Sequence, residues 1–252
     1  MKINKIKLAL GLVAGLSVAM PMIASAAADQ EKAMANADNW AAPRGNYSNQ
    51  AYSTLSQINQ GNVKNLKAAW TFATGVNRGH EGSPIVVGNM MYVHTAFPNN
   101  VYALDLNDNQ KIVWSYFPKQ DPSVQAVLCC DNVNRGLGYG DGKIILNQND
   151  GMVVALDAKT GKKIWDVRNV DPKVGATNTN APHVIKDKIL TGCSGAEFGV
   201  RCFMAAYNLK DGSLAWKAYS TGPDAEVLIG KDFNKDTPLY SALSVYEDVN
   251  GG

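Results

Sequence analysis

Two adjacent cysteines, Cys129 and Cys130, are the residues whose type and spacing first suggest chemistry, and Arg135 follows five positions later. A relaxed disulfide joins Cα atoms roughly 4.4–6.8 Å apart, whereas neighbours across a trans peptide lie about 3.8 Å apart. A Cys129–Cys130 bond would therefore close a strained ring, and strain of this kind is concentrated at functional sites. The spacing leaves two alternatives open, which are two reduced buried thiols and two thiols bonded elsewhere.

The start of the chain predicts the compartment in which these cysteines lie. Three lysines precede an apolar run over residues 8–23, and a small-x-small sequence at residues 24–26 fits a cleavage site. These features are typical of a cleavable signal peptide over residues 1–26, and the apolar run is short for a membrane anchor. We therefore expect an exported protein in which disulfides are permitted. An N-terminal membrane helix is the alternative.

Composition excludes several classes of protein. The 252 residues carry a formal net charge of +2, which gives no sign of a nucleic-acid partner. Only four cysteines are present, so the chain is not a small disulfide-framework domain. No segment after the predicted signal peptide is apolar enough to be a transmembrane segment.

A pattern of short strands and tight turns repeats from residue 67 onward. Four strands are predicted in residues 83–116, and the same order of strands and turns returns in residues 138–165 and again in residues 181–216. Tryptophans mark the period, which is in the range of propeller blades. They are Trp70, Trp114, Trp165 and Trp216.

The repeat predicts an all-β fold made of propeller blades. A blade of four short strands cannot bury both faces alone, so neighbouring blades must stack around an axis. An ordinary β-sandwich is the alternative, but it gives no reason for the period. Three blades and part of a fourth are too few to close a propeller of about four to eight blades. We therefore interpret residues 27–252 as a partial propeller domain, the N-terminal portion of a longer protein.

Several motifs resemble those of one enzyme family. The sequence ALDAKTGKKIW at residues 155–165 resembles the tryptophan-docking motif of the pyrroloquinoline-quinone (PQQ) alcohol dehydrogenases, which are periplasmic eight-bladed propellers. The cysteine pair with NRG at 134–136, and SGAE at 194–197, resemble the cofactor site of the methanol dehydrogenase branch. The sequences TNTNAPH at 177–183 and CSGAEFGVRC at 193–202 look most similar to the lanthanide-dependent members.

The resemblance implies a role for each matching residue. Cys129 and Cys130 would form a disulfide against one face of the planar quinone, and Arg135 would reach a quinone oxygen or carboxylate, as a planar cationic fork can. Glu81 would bind the edge of the cofactor. Glu197 would contact the cofactor site as a ligand of a Ca²⁺ or lanthanide ion, since hard cations prefer oxygen ligands. The remaining cofactor-binding residues would be Thr179, Ser194, Gly195 and Ala196.

The implied function is oxidation of a primary alcohol, methanol in particular, to the aldehyde. Electrons would pass to a c-type cytochrome, the protein would be periplasmic, and a homodimer is an assembly compatible with the family. The catalytic base and the other metal ligands are expected beyond Gly252, so no catalytic residue is assigned here and the fragment alone is expected to be inactive. The alternatives are a non-catalytic propeller scaffold for protein assembly and a PQQ sugar dehydrogenase.

Two questions stay open at this level. The choice between calcium and a lanthanide depends on acids that lie outside this sequence. Cys193 and Cys202 bracket the SGAE segment, and whether they are bonded is not decided by their spacing.

The three histidines, His80, His94 and His183, show no spacing typical of metal ligands.

Overall fold

The structure is a computed structural model that describes residues 23–222, with side chains from residue 29 onward. The predicted signal peptide over residues 1–26 and the tail after residue 222 therefore lie largely or wholly outside the described residues. The description begins with one α-helix, α1 (Ile23–Ala35). No helix within the described range is both long and apolar enough to cross a membrane.

Twelve strands follow in the described range, in three groups of four. The first group is β1 (Ile85–Val87), β2 (Met90–His94), β3 (Val101–Asp105) and β4 (Lys111–Tyr116). The second is β5 (Leu137–Gly140), β6 (Lys143–Asn147), β7 (Met152–Asp157) and β8 (Lys163–Arg168). The third is β9 (His183–Ile185), β10 (Lys188–Thr191), β11 (Phe203–Asn208) and β12 (Leu214–Tyr219). One short 3₁₀ turn precedes β1, at Val63–Asn65. Two lie between the groups, at Pro122–Val127 and Pro172–Val174, and one lies between β10 and β11, at Ala196–Phe198.

Each group forms one antiparallel sheet in which the strands pair in chain order. The third and fourth strands of every sheet carry a register shift at the same place, between Ala103 and Leu104, Ala155 and Leu156, and Ala206 and Tyr207. A shift of this kind increases the local twist of the strand pair. The three predicted repeats are thus three copies of one structural unit, and the predicted all-β class is confirmed.

The hydrophobic core lies between the sheets. In β6, Ile144 and Leu146 pack into a cluster shared with the first sheet, whereas Ile145 packs into a cluster shared with the third. All three side chains are fully buried. Successive residues of a strand point to opposite faces, so the middle sheet is covered on both sides, and its central strands β6 and β7 have continuous apolar runs. A single sheet could not bury these faces alone.

Two indoles connect neighbouring sheets. Trp114 in β4 donates its Nε1 hydrogen to the carbonyl oxygen of Ala158, at 3.0 Å, in the turn before β8. Trp165 in β8 donates in the same way to the carbonyl oxygen of Leu209, at 3.3 Å, in the turn before β12. The tryptophan of one blade therefore docks on a turn of the next blade, as the repeat predicts.

Trp70 differs from the other three marker tryptophans. It lies in an irregular segment rather than at the end of a strand, and 40% of its surface is exposed. A strand needs a neighbouring strand to satisfy its backbone N–H and C=O groups, and within residues 23–222 no named strand includes or pairs with this segment. The sequence repeat begins at residue 67, but the described structure forms blades only from β1 onward.

Candidate functional site

Arg135 is the centre of the candidate site. It lies between the cysteine loop and β5, and its Nε is 3.1 Å from Oε2 of Glu81. Its Nη1 donates to Oγ1 of Thr179 at 3.0 Å, and its backbone N–H donates to the carbonyl oxygen of Thr179 at 3.1 Å. The Arg135 and Glu81 side chains remain 40% and 46% exposed, so this ion pair faces open space rather than the core.

A chain of hydrogen bonds continues from Thr179 to the SGAE segment. The hydroxyl oxygens of Thr179 and Ser194 lie 2.6 Å apart. The backbones of Thr177 and Ser194 form an antiparallel bridge through two hydrogen bonds of 3.1 and 2.9 Å. Three segments distant in sequence, carrying Glu81, Arg135 and the Thr179–Ser194 pair, are therefore joined at one place.

A cavity of about 660 Å³ opens beside this cluster. Its volume is within the range of about 300–1,000 Å³ typical of small-molecule sites. Glu81 and Arg135 are the predicted site residues that line it, and Cys193, next to the predicted Ser194, lines it as well. Its other lining residues are Pro43, Arg44, Ser83, Asn180, Ala181, His183, Gly192 and Met204.

The cysteine loop approaches the same cluster from another direction. The structure bonds Cys129 to Cys130, and the backbone enters the left-handed region at Cys130, Asp131 and Asn132, with φ of 64°, 59° and 63°. Non-glycine residues in this region cost free energy and are enriched at functional sites. Neither cysteine is among the described residues that line the 660 Å³ cavity.

Asp131 connects the cysteine loop to the segment before Glu81. Its carboxylate accepts hydrogen bonds from Nη1 of Arg78, at 3.1 Å, and from the backbone N–H of Gly79, at 3.2 Å. The loop of the cysteine pair and the segment carrying Glu81 are therefore held together independently of Arg135.

The segment carrying Glu197 is a closed loop. Cys193 and Cys202 are bonded, with Cα atoms 5.6 Å apart, which decides the pairing that spacing alone left open. Inside this loop, Gly195 adopts φ +122° immediately before the 3₁₀ turn Ala196–Phe198. Ala196 and Glu197 are exposed on this turn. The structure therefore presents Glu197 to solvent in a covalently closed loop and does not bring it into the Arg135 cluster.

Sequence reasoning missed several residues of this region. Arg44, Asn180 and His183 line the cavity, and burial lowers the pKa of His183. Asn149 is fully buried and donates both Nδ2 hydrogens, to the carbonyl oxygens of Val133 at 3.0 Å and Asn178 at 2.9 Å. The sequence gives no local signal for these contacts, since each partner belongs to a different part of the chain.

The donor set fits a planar, carboxylated quinone. Arg135 has five N–H donors in a planar fork, and Nε and Nη1 are used by Glu81 and Thr179. Nη2 has no hydrogen-bond partner among residues 29–222, so it can bind an acidic or carbonyl oxygen. The Oδ1 of Asn180, which lines the cavity, is also buried without a partner in this range.

The fit to a metal ion is only partial within the described residues. They contain no group of three or more His, Cys, Asp or Glu side chains that could hold a metal. A Ca²⁺-like ion takes about six to eight oxygen ligands, and Glu197 offers one carboxylate. Carbonyl oxygens, water, the cofactor or residues outside 23–222 would have to supply the other ligands.

Comparison with known proteins identifies the family. The family described as PQQ: Glucose/ethanol/alcohol dehydrogenase, beta-propeller domain, matches residues 40–238. The chain belongs to this family. The match includes all twelve strands and the Arg135 cluster, and it confirms the predicted propeller fold.

Individual members of the PQQ family are similar over most of the chain. A lanthanide-dependent methanol dehydrogenase of Methylorubrum extorquens is 54% identical over 91% of this chain and 39% of its own length. A methanol dehydrogenase [cytochrome c] subunit 1 of the same organism is 54% identical over 81% of this chain and 33% of its own length. The resemblance to lanthanide-dependent methanol dehydrogenases is therefore confirmed.

Solved structures agree with this assignment. A europium-containing methanol dehydrogenase is 51% identical, covers 83% of this chain and 37% of its own, and gives a TM-score of 0.80. A quinohemoprotein alcohol dehydrogenase from Comamonas testosteroni is 36% identical over 84% of this chain and 33% of its own, with a TM-score of 0.74. The chain thus spans about two fifths or less of the length of these relatives.

Proposed function

We propose that the full-length protein is a periplasmic PQQ-dependent dehydrogenase that oxidises primary alcohols to the aldehyde, with methanol as the principal substrate. The observation that carries this proposal is the position of Arg135 at the cavity, held between Glu81 on Nε and Thr179 on Nη1. The 54% identity to a lanthanide-dependent methanol dehydrogenase supports the substrate class. The name of the second relative, a methanol dehydrogenase [cytochrome c] subunit, supports a c-type cytochrome as the electron acceptor.

In this proposal each residue of the cluster has a physical role. Glu81 neutralises part of the guanidinium charge and fixes the plane of the Arg135 fork. Thr179, whose hydroxyl is also bonded to Ser194, fixes the second edge of the fork. The free Nη2 edge of Arg135 would then bind a carboxylate or carbonyl oxygen of the quinone with fixed geometry. When bound, the quinone supplies the acceptor for the hydride of the alcohol.

The remaining predicted residues would complete the binding surface. Cys129 and Cys130 would offer a flat sulfur surface to the quinone ring, and Gly195 and Ala196 would approach it through their backbone. Glu197 would supply a carboxylate to a Ca²⁺ or lanthanide ion, whose charge suits an oxygen ligand. The exposure of Glu197 on its closed loop leaves this carboxylate free to take such a ligand role.

The test is reconstitution of the full-length apoprotein. Purified protein would be titrated with PQQ in the presence of Ca²⁺ or of a light lanthanide, and methanol oxidation would be followed with an artificial electron acceptor. We expect saturable quinone binding and methanol oxidation, with little oxidation of glucose. Absence of quinone binding would refute the proposal, and preference for glucose would favour the sugar dehydrogenase.

A matched pair of variants tests the role of Arg135. Arg135→Lys keeps the charge but loses the planar fork, so PQQ affinity should fall about tenfold or more. Arg168→Lys is the control, because Arg168 bonds the carbonyl oxygens of Asp150 and Val170 and does not line the 660 Å³ cavity. Equal quinone affinity of both variants would show that Arg135 does not bind the quinone.

A further inference from the structure

His94, the last residue of β2, packs against both segments that carry the Arg135–Glu81 ion pair. Its side chain is buried, with 5% of its surface exposed. Gly82, which follows Glu81, and Asn134, which precedes Arg135, both contact the Nε2 edge of the ring. One imidazole therefore contacts the backbone next to both charged residues.

The contact with Gly82 explains why that position is a glycine. A Cβ built on Gly82 would overlap Cε1 and Nε2 of His94 and would lie 3.0 Å from the carbonyl carbon of Arg135. Gly82 is not among the glycines with positive φ, so its backbone conformation is open to other residues. The glycine is required by the space that the imidazole occupies.

The contact with Asn134 is a directed hydrogen bond. Nε2 of His94 lies 3.0 Å from the carbonyl oxygen of Asn134, and because a carbonyl oxygen only accepts, Nε2 carries the proton. The side chain of Asn134 is itself held, since Nδ2 donates to the carbonyl oxygen of Asn147 at 2.7 Å and Oδ1 accepts from the N–H of Gly136 at 3.2 Å. The backbone immediately before Arg135 is thus fixed from both sides.

Packing alone does not account for a histidine at this position. Nδ1 is buried and has no hydrogen-bond partner among the described residues, and a buried polar atom without a partner costs free energy. An apolar side chain of similar size would avoid that cost. Burial lowers the pKa of His94 to about 4, so the ring is neutral at neutral pH and keeps a single N–H, the one that Asn134 accepts.

We propose that His94 is a positioning residue that fixes how the segments of Glu81 and Arg135 pack against each other at the quinone pocket. It acts through the Gly82 contact and the Asn134 hydrogen bond, both at the Nε2 edge of its ring, beside the direct bridge between Ser83 and Gly136. The inference rests on the proposed quinone function, because its consequence is the geometry of a cofactor-binding ion pair. His94 itself is not among the described residues that line the cavity.

Equilibrium titration of PQQ into the full-length apoprotein with Ca²⁺ tests this role. His94→Gln places an amide N–H near the position of Nε2, whereas His94→Leu keeps apolar volume and removes the donor. We expect the Kd for PQQ to rise about tenfold or more in His94→Leu, by analogy with residues that orient a ligand-binding side chain. The Kd should stay within about threefold of wild type in His94→Gln, which restores the hydrogen bond.

Tyr92→Phe is the matched control in the same strand. Tyr92 is also buried and donates its hydroxyl to the carbonyl oxygen of Ala158 at 3.1 Å, far along the chain from Glu81 and Arg135. This variant should lower the melting temperature of the apoprotein and leave the Kd for PQQ unchanged. A general loss of blade stability would instead raise the Kd in Tyr92→Phe as well, which would contradict the specific role of His94.

The outcomes separate this inference from the proposed function. If the wild-type protein does not bind PQQ, the proposed function fails. If the wild type binds and His94→Leu binds equally well, or if His94→Gln is impaired as much as His94→Leu, the positioning role is refuted. Should His94→Leu not fold, Gly82→Ala tests the same contact by crowding the ring, and an unchanged Kd in that variant would also refute the role.

Discussion

Gly161 lies against the indole of Trp114, across the boundary between the first and second blades. A Cβ built on Gly161 would be 2.5 Å from Cε3 of Trp114, and the same relation recurs one blade later, where a Cβ on Gly212 would be 2.7 Å from Cε3 of Trp165. The indole hydrogen bonds to Ala158 and Leu209 lie in the same two turns. The glycine and the indole therefore form one docking unit that repeats with the blade.

Gly161→Ala should destabilise the full-length protein by about 2–4 kcal/mol, because a side chain would both overlap the indole and occupy the left-handed region. The measurement is the free energy of unfolding in urea. Gly142→Ala is the matched control, since Gly142 has a similar φ of +64° against +69° but open space at its Cβ. The free energy of unfolding of Gly142→Ala should fall by only about 1 kcal/mol. Equal losses in the two variants would show that the indole contact is not the cause.

Asn149→Asp should weaken both stability and quinone binding. The substitution replaces the Nδ2 donor to Val133 and Asn178 by an acceptor, so two buried carbonyl oxygens lose their partner. We expect a loss of about 3 kcal/mol in the free energy of unfolding, together with a higher Kd for PQQ. Val133 and Asn178 lie close in sequence to Arg135 and Thr179, which is why the two effects should be coupled.

The control for Asn149 is Asn107→Asp. Asn107 is exposed, and among the described residues its one hydrogen bond is from its backbone N–H to Oδ1 of Asp105, at 2.9 Å. Stability and quinone affinity should both stay close to wild type in this variant. If Asn149→Asp behaved in the same way, the buried amide would not hold the two segments together.

The stability of the protein should fall as the pH decreases from 6.5 towards 4, in part because of His94. Burial lowers the pKa of His94 from 6.5 to about 4 in the folded state, with the charge of His80 acting in the same direction. The unfolded chain therefore binds the proton first as the pH falls. Between pH 7.5 and pH 5, His94 should account for a fall of about 2 kcal/mol in the free energy of unfolding.

The measurement is urea unfolding of wild type and His94→Gln at both pH values. On going from pH 7.5 to pH 5, the free energy of unfolding should fall by about 2 kcal/mol less in the variant than in wild type. The same pH dependence in both proteins would mean that folding does not lower the pKa of His94.

The four cysteines of this sequence should all be oxidised in the full-length protein. Alkylation under denaturing conditions without reductant should modify no thiol at Cys129, Cys130, Cys193 or Cys202, because the structure pairs them as 129–130 and 193–202. Peptide mapping should recover these two pairings. A free thiol, or a link from the first pair to the second, would contradict the arrangement of both loops.

Glu197→Gln should reduce metal affinity about tenfold or more, since it removes the negative charge of the carboxylate that we propose as a ligand of a hard cation. Alcohol oxidation, titrated against calcium and against a light lanthanide, should recover in part at high metal concentration, because mass action offsets weaker binding. Near-normal activity without added metal would mean that Glu197 is an ordinary solvated acid and not a metal ligand.

Glu81→Gln is the comparison for Glu197. It removes the charge that pairs with Nε of Arg135 at 3.1 Å, so quinone retention should fall and added metal should help little. If metal restored Glu81→Gln as fully as Glu197→Gln, the two carboxylates would not have the separate roles proposed here.

The strand pattern and the blade repeat were predictable from the sequence because both depend on local periodicity. The alternation of Ile144, Ile145 and Leu146 in β6 reflects the two-residue period of a strand covered on both faces. The spacing of Trp114 and Trp165 reflects one indole per blade. The resemblance also pointed to Glu81, Arg135, Thr179 and Ser194, and the structure brings these four together.

Only the tertiary structure decided which distant residues meet. The role of His94 depends on contacts with Gly82 and Asn134, 12 and 40 residues away in sequence, and a lone histidine at the end of a strand gives no local sign of either. Trp70 carries the same sequence signal as Trp114, yet it is exposed, because an indole docks only where a neighbouring turn receives it. Periodicity determines which face of a strand is buried, whereas the partner on that face depends on how the blades pack.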